Sequence, residues 1–215
     1  MSVTDELLDT NIQDKGSFTS FAFPINFEFK IGTLSNDFTA TDANGKTIAY
    51  VRQKMFKLKE AITVYASTAK TNELYKINAD RVIDFNANYA FTDADGDMIG
   101  KVGRKGMKSL WKANYQILDN NNNTDFEIKE ENPWAKVMDA LFVEIPILGM
   151  FTGYFFNPKY LVTDTSGNQI ARLSKQASFW GRKFKLETLG DLPADKSESV
   201  MLSLMMMMLL ERRRG

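Results

Sequence analysis

Residues 200–210 read Val200-Met201-Leu202-Ser203-Leu204-Met205-Met206-Met207-Met208-Leu209-Leu210, and Glu211-Arg212-Arg213-Arg214-Gly215 follows. Wound as a helix, these eleven residues span about 16 Å, well short of a hydrocarbon core of about 30 Å. A helix that is apolar all round and does not cross a membrane needs apolar neighbours on every side. The interior of a β-barrel supplies them. Methionine suits such a place because its flexible thioether fills irregular space. The three arginines stand at the negative end of the helix dipole and would emerge into water there. A core helix over 198–212 is therefore expected. The competing reading is a tail lying on a membrane, with Arg212, Arg213 and Arg214 on anionic headgroups.

Upstream, one phrase occurs three times. Thr41-Asp42-Ala43-Asn44-Gly45-Lys46-Thr47-Ile48-Ala49 is followed by Thr92-Asp93-Ala94-Asp95-Gly96-Asp97-Met98-Ile99-Gly100 and by Thr163-Asp164-Thr165-Ser166-Gly167-Asn168-Gln169-Ile170-Ala171. The middle copy, with its carboxylates around a glycine, looks like a calcium loop. Such a loop needs glycine at position six and glutamate at position twelve. Counted from Asp93, glycine falls at position four and Arg104 at position twelve. The other copies replace Asp95 and Asp97 but keep the Asp and Gly frame. What persists is a type I turn with a left-handed glycine bulge, so the phrase predicts β-hairpin tips rather than a metal site.

The flanks agree. Strand-like segments precede the turns at 36–40, 88–91 and 160–162. Ile-(Ala/Gly)-x-(Val/Leu) follows at 48–51, 99–102 and 170–173, and a further strand comes at 61–65, 113–118 and 184–187. The copies are spaced unevenly, by 51 and then 71 residues. That excludes a solenoid of fixed period and points to an all-β meander closing into a barrel or sandwich.

The composition narrows the chemistry. The chain has 215 residues, of which 44% are hydrophobic, enough for a substantial core. Lys plus Arg and Asp plus Glu are 27 each, for a formal net charge of zero, so no bulk field attracts nucleic acid. The absence of cysteine excludes disulfides, thiolate metal sites and thiol nucleophiles. The absence of histidine removes imidazole ligands and the commonest general base. No cofactor or metal is expected. Residues 1–17 are acidic and lack an apolar signal core. They are expected as a flexible lead-in to a cytoplasmic protein whose single domain covers 18–215.

Between the second and third copies, Asn132 and Pro133 have the chemistry of a helix start. Trp134, Val137, Met138, Leu141 and Phe142 share one helical face, so an amphipathic helix is expected near 133–144. Two readings stay open for residues 132–156 as a whole. One is a helix laid over the barrel and followed by a buried strand. The other is a membrane-inserting hairpin, in which Asp139 would cost about 2.5–3.5 kcal/mol at mid-bilayer. No transmembrane segment is expected.

Several separated phrases resemble the LURP-one-related family. They are Tyr50-Val51-Arg52-Gln53-Lys54-Met55-Phe56-Lys57-Leu58-Lys59-Glu60, Ala79-Asp80-Arg81-Val82-Ile83-Asp84-Phe85, Glu131-Asn132-Pro133-Trp134, Gly153-Tyr154-Phe155-Phe156-Asn157-Pro158 and Ser178-Phe179-Trp180-Gly181-Arg182-Lys183-Phe184. They fall in the family's order over about residues 22–210. This family includes bacterial YxjI-like proteins and is similar in fold to the tubby C-terminal domain and the phospholipid scramblases. The resemblance implies a mainly β fold, a closed twelve-stranded antiparallel tubby-like β-barrel around a central hydrophobic C-terminal α-helix. Tubby domains bind phosphoinositides through basic surface residues, and scramblases are assigned calcium-dependent lipid movement. The resemblance supplies no catalytic motif to carry over, and the scramblase-like calcium site and membrane anchor are not evident here.

Three function classes remain. The first is a non-catalytic binding module for anionic phospholipid or phosphoinositide, peripheral to the inner face of the membrane. Its candidate residues are Lys54, Lys57 and Lys59; Arg104, Lys105, Lys108 and Lys112; and Arg182 and Lys183, with Lys185 beside them. The second is a structural or protein-interaction scaffold with no small ligand, using the apolar stretch 142–156. The third is an enzyme built on Asp80, Asp84 and Glu144, the acids in the most apolar surroundings. Without histidine or cysteine this class has the least support, and the chain is read as a non-enzyme.

Overall fold

Strict apolar–polar alternation shapes the strands. In β1 (Ile25–Phe29), Ile25, Phe27 and Phe29 are buried while Asn26 and Glu28 are exposed. In the computed structural model the described residues are 18, 20–30, 36–53, 62–80, 88–104, 114–131, 158–176 and 183–212. After β1 they form β2 (Phe38–Thr41), β3 (Thr47–Arg52), β4 (Ile62–Tyr65), β5 (Glu73–Ala79), β6 (Asn88–Asp93), β7 (Met98–Arg104), β8 (Asn114–Leu118), β9 (Thr124–Glu130), β10 (Lys159–Asp164), β11 (Gln169–Gln176), β12 (Lys183–Thr188) and helix α1 (Ala194–Arg212). The expected helix near 133–144, and both readings of 132–156, lie outside the described residues.

Each strand pairs antiparallel with its neighbours in the chain. β12 returns to β1 with Ile25 opposite Leu186 and Phe27 opposite Phe184, closing the barrel. Closure leaves no unpaired edge to template aggregation. Twelve strands about 4.8 Å apart, tilted about 40°, enclose a barrel of roughly 12 Å backbone radius. That is room for one helix, itself about 10–12 Å across, and one layer of wall side chains.

Helix α1 fills that room. Every residue from Val200 to Leu209 is at most 1% exposed. Ten consecutive buried residues occupy every face of a helix, so barrel wall surrounds it on all sides. The tail is therefore core, as its composition predicts, and the membrane-lying alternative fails. The helix starts at Ala194, one turn ahead of the expected 198. Lys196 in that extra turn reaches Asp125 at the start of β9, with Nζ 2.7 Å from Oδ2. The Asp125 carboxylate raises the Lys196 pKa above its ordinary value.

The recurring Ile-(Ala/Gly)-x-(Val/Leu) phrase now has a packing meaning. Ala49, Gly100 and Ala171 occupy matching inward positions near the turns of β3, β7 and β11, and Val51, Val102 and Leu173 follow them deeper inside. Tyr50, Lys101 and Arg172 lie between, on the outer face. At Gly100 the wall meets both a neighbouring strand and α1. A Cβ there would stand 3.5 Å from Ser199 Cβ and 2.9 Å from the Leu118 carbonyl oxygen. Phe27, Phe29 and Phe38 fill space on the β1–β2 side, with ring centroids 4.8 and 6.1 Å apart.

The barrel is built from three four-strand units, β1–β4, β5–β8 and β9–β12. Matching bonds close the first connection of each. Lys30 N donates to Asp37 O (2.9 Å), Asp80 N to Asn88 O (2.9 Å), and Glu131 N to Lys159 O (2.8 Å). The turn copies are thus a third of the circumference apart, although unevenly spaced in sequence. The long 131–158 connection accounts for the difference. Nine strands were legible as repeats. β1, β5 and β9 lie outside the repeated phrase, although Phe126 and Ile128 show the same alternation.

Candidate functional site

The antiparallel meander sorts the connections into two sets at opposite ends of the barrel. At one end lie the turns β2–β3, β4–β5, β6–β7, β8–β9 and β10–β11, together with the start of α1. The strand ends flanking 30–37, 53–62, 80–88, 104–114, 131–158 and 176–183 lie at the other.

The turn end answers the calcium question. The Asp93 carboxylate accepts the backbone N–H of Asp95 (3.0 Å) and of Asp97 (2.8 Å) through the same oxygen, Oδ1. Asp42 Oδ1 does the same with Asn44 and Lys46, both at 2.9 Å. Asp164 Oδ1 takes Asn168 N at 2.8 Å. Gly45, Gly96 and Gly167 have φ of 80°, 94° and 90°, the left-handed geometry of the bulge. The strand register shifts beside each turn. These carboxylates hold their own backbone turns.

A fourth copy escaped the sequence pattern. Asp119 Oδ1 accepts Asn121 N (2.8 Å) and Asn123 N (2.7 Å). Asn122, at φ 67°, stands where the others have glycine. The signal was present, since asparagine tolerates the left-handed region better than other side chains. Donors hold several of these acids below the usual carboxylate range. For Asp119 and Asp164 the side-chain amides of Asn123 and Asn168 dominate. For Asp42 burial alone pushes upward, but the N–H groups of Lys46, Ala22 and Asn44 outweigh it.

The opposite end bears on the basic clusters. Of the proposed residues, Lys54, Lys57, Lys59, Lys105, Lys108, Lys112 and Arg182 lie outside the described residues. Arg104 closes β7, half-buried, and Lys183 opens β12. Lys183 meets Glu28 at 3.2 Å, and Lys185 meets Glu187 at 2.7 Å. The flanking strand ends Arg52 and Ile62, Arg104 and Asn114, and Gln176 and Lys183 all face the same end. They are spaced four strands apart around the rim. Arg52 and Lys175 share that rim with Arg104 and Lys183. The topology thus brings the three clusters' anchor points to one end, and sets them around a ring rather than side by side.

Asp80 reads differently from its place among candidate acids. Its two carboxylate oxygens take Asn88 N (3.0 Å) and Asn88 Nδ2 (3.2 Å), closing the β5–β6 connection. Asp84 and Glu144 lie outside the described residues. A polar pair not foreseen from sequence sits on the outer wall. The Tyr50 hydroxyl donates to Asp37 Oδ2, and Tyr50 and Asp37 are 1% and 5% exposed. Burial first, and the Asp37 carboxylate second, push the Tyr50 pKa up to about 12. The ammonium groups of Lys30 and Lys70 stand 4.7 and 5.4 Å from the Tyr50 ring centroid.

No helix among the described residues is long and apolar enough to cross a membrane. A family model described as LURP-one-related matches residues 47–190. Comparison with curated proteins and with solved structures yields no match.

Proposed function

The chain belongs to the LURP-one-related family, and on that premise we propose that it is a non-catalytic, tubby-like binding module. Its ligand is an anionic phospholipid surface, with phosphoinositides among its lipids, at the inner face of the membrane in the cytoplasm. The observation that carries this reading is the sorting of connections. The strand ends that flank all three basic clusters meet at one end of the barrel, while the aspartate turns occupy the other. With α1 filling the interior, a ligand would be met from outside, where lysine and arginine act on phosphate through Coulomb attraction and charge-assisted hydrogen bonds.

The test is co-sedimentation of the intact protein with zwitterionic, phosphatidylserine-containing and phosphoinositide-doped vesicles, at low and physiological salt. Binding confined to anionic vesicles and weakened by salt is expected. Absence of pelleting with every anionic vesicle at both salts would sink the reading and leave the protein-interaction scaffold as the alternative.

A further inference from the structure

We propose that Phe18 and residues 20–24 form a latch over the turn end of the barrel, a separately opening piece that controls access to the apolar interior beside α1. The inference is independent of the anionic-surface reading above. The interior is closed on its sides by twelve hydrogen-bonded strands, and reaching it through the wall means breaking a ladder. The turn end is different. The backbone of α1 runs closest to β6, β7 and β8, and the Lys196–Asp125 pair ties its first turn to β9. On the β1–β5 side, the segment leading into β1 covers the turn end.

Rings and a few isolated hydrogen bonds hold this segment. Phe18 is buried, its ring centroid lies 4.7 Å from that of Tyr75 on β5, and its N–H donates to the Tyr75 hydroxyl at 2.8 Å. The same hydroxyl is hydrogen-bonded to the Glu198 carboxylate near the start of α1. Tyr75 thus joins the entering chain, the wall and the helix at one oxygen. The Phe21 ring stands 6.4 Å from Phe18 and 5.5 Å from Phe23, and Phe21 and Phe23 both pack on the core. Ala22 clips the segment to the β2–β3 turn: Ala43 N donates to Ala22 O (2.9 Å), and Ala22 N to Asp42 Oδ2 (3.4 Å). Residues 20–24 precede the first ladder pair of β1, Ile25 with Leu186.

An element held in this way opens at a lower free energy than a strand ladder. The latch swings out while the barrel stays closed, and bares the interior beside β2 and β3, where Ala40 and Ala49 pair fully buried. Residues 1–17 join the fold at Phe18, so whatever engages them acts on the latch directly.

The test exploits the absence of cysteine. Full-length A49C and A171C each place one thiol at a matching inward position, the first below the turn to which the latch is clipped, the second on β11 away from it. Thiol-labelling rates are measured in native buffer and in rising urea below the unfolding transition. A49C should label through an opening that barely responds to urea, because little surface is exposed by it. A171C should label only through global unfolding, at a rate that climbs steeply with urea. Phe18→Ala should speed A49C labelling about a hundredfold. Tyr75→Phe keeps the ring but deprives the Phe18 N–H of its acceptor, and should speed it about tenfold. Circular dichroism establishes that each variant is folded. A urea dependence at A49C as steep as at A171C overturns the latch and makes the segment an ordinary part of the cooperative core. Shallow dependence at both positions overturns it too, because the opening is then not confined to this segment. So does A49C labelling that neither substitution changes.

Discussion

Replacing Gly100 by alanine tests the tight backbone approach of β8 to β7 beside α1. Gly100 has φ 155°, a conformation L side chains rarely adopt. The added Cβ would lie 2.9 Å from the Leu118 carbonyl oxygen and 3.5 Å from Ser199 Cβ. The first of these partners is backbone, so a strand must move rather than a flexible side chain. Overpacking of this kind costs about 1–3 kcal/mol, and the backbone conformation adds about 1 kcal/mol or more. The expected total is about 2–4 kcal/mol, a fall in Tm of roughly 5–15 °C for a chain of this size. Ala49 and Ala171 provide the control, because they hold the matching inward positions in the other two units. Ala49→Gly and Ala171→Gly each lose one buried methyl, about 0.8 kcal/mol, plus about 0.5–1 kcal/mol of glycine backbone entropy. Urea unfolding with a common m-value reads all three. A Gly100→Ala protein within about 0.5 kcal/mol of wild type would refute the close approach of the Leu118 carbonyl to Gly100.

At the fourth turn, Asn122→Gly should leave stability unchanged or raise it by up to about 1 kcal/mol, whereas Asn122→Val should lower it by about 1–2 kcal/mol, both read by urea unfolding. Met206→Ala, in the middle of the buried helix, should cost about 2–5 kcal/mol in the same assay, and a smaller loss would mean that the interior collapses onto the gap. Because the folded-state pKa of Tyr50 lies above that of an exposed tyrosine, its hydrogen bond stabilises the fold fully below about pH 10 and the stabilisation is lost as pH rises through about 12. The stability difference between wild type and Tyr50→Phe should therefore be flat below about pH 10 and shrink above it, by about 2–3 kcal/mol in all; a constant difference would refute the buried neutral phenol. Millimolar calcium should leave the Tm unchanged, since the turn carboxylates already accept backbone N–H groups, and a rise of several degrees would restore the metal reading of residues 93–97.

Features governed by neighbours in the chain were legible beforehand. The Asp–Gly frame of residues 42–45, 93–96 and 164–167 forces the same turn wherever it occurs, because its hydrogen bonds close within five residues. The apolar run at 200–209, interrupted only by Ser203, demands burial on every face, and its length rules out a membrane span. Asn122 escaped for a local reason too, since a pattern keyed to glycine passes over asparagine doing the same work.

What residues distant in sequence do together was decided by the tertiary structure. Tyr50 and Asp37 meet because Asp37, just ahead of β2, lies opposite Arg52 beside β3. Strand β12 finds β1 across the whole chain only once the twist and tilt of twelve strands have brought the sheet round on itself. Closure places Arg52, Arg104 and Lys175 on one rim and the aspartate turns on the other. The amino-acid sequence by itself determined the hairpins, the apolar helix and its need for a surrounding wall, because those follow from local hydrogen bonding and hydropathy. Which charges share an end, and how far apart they stand, depended on strand order and barrel radius, which exist only in the closed fold.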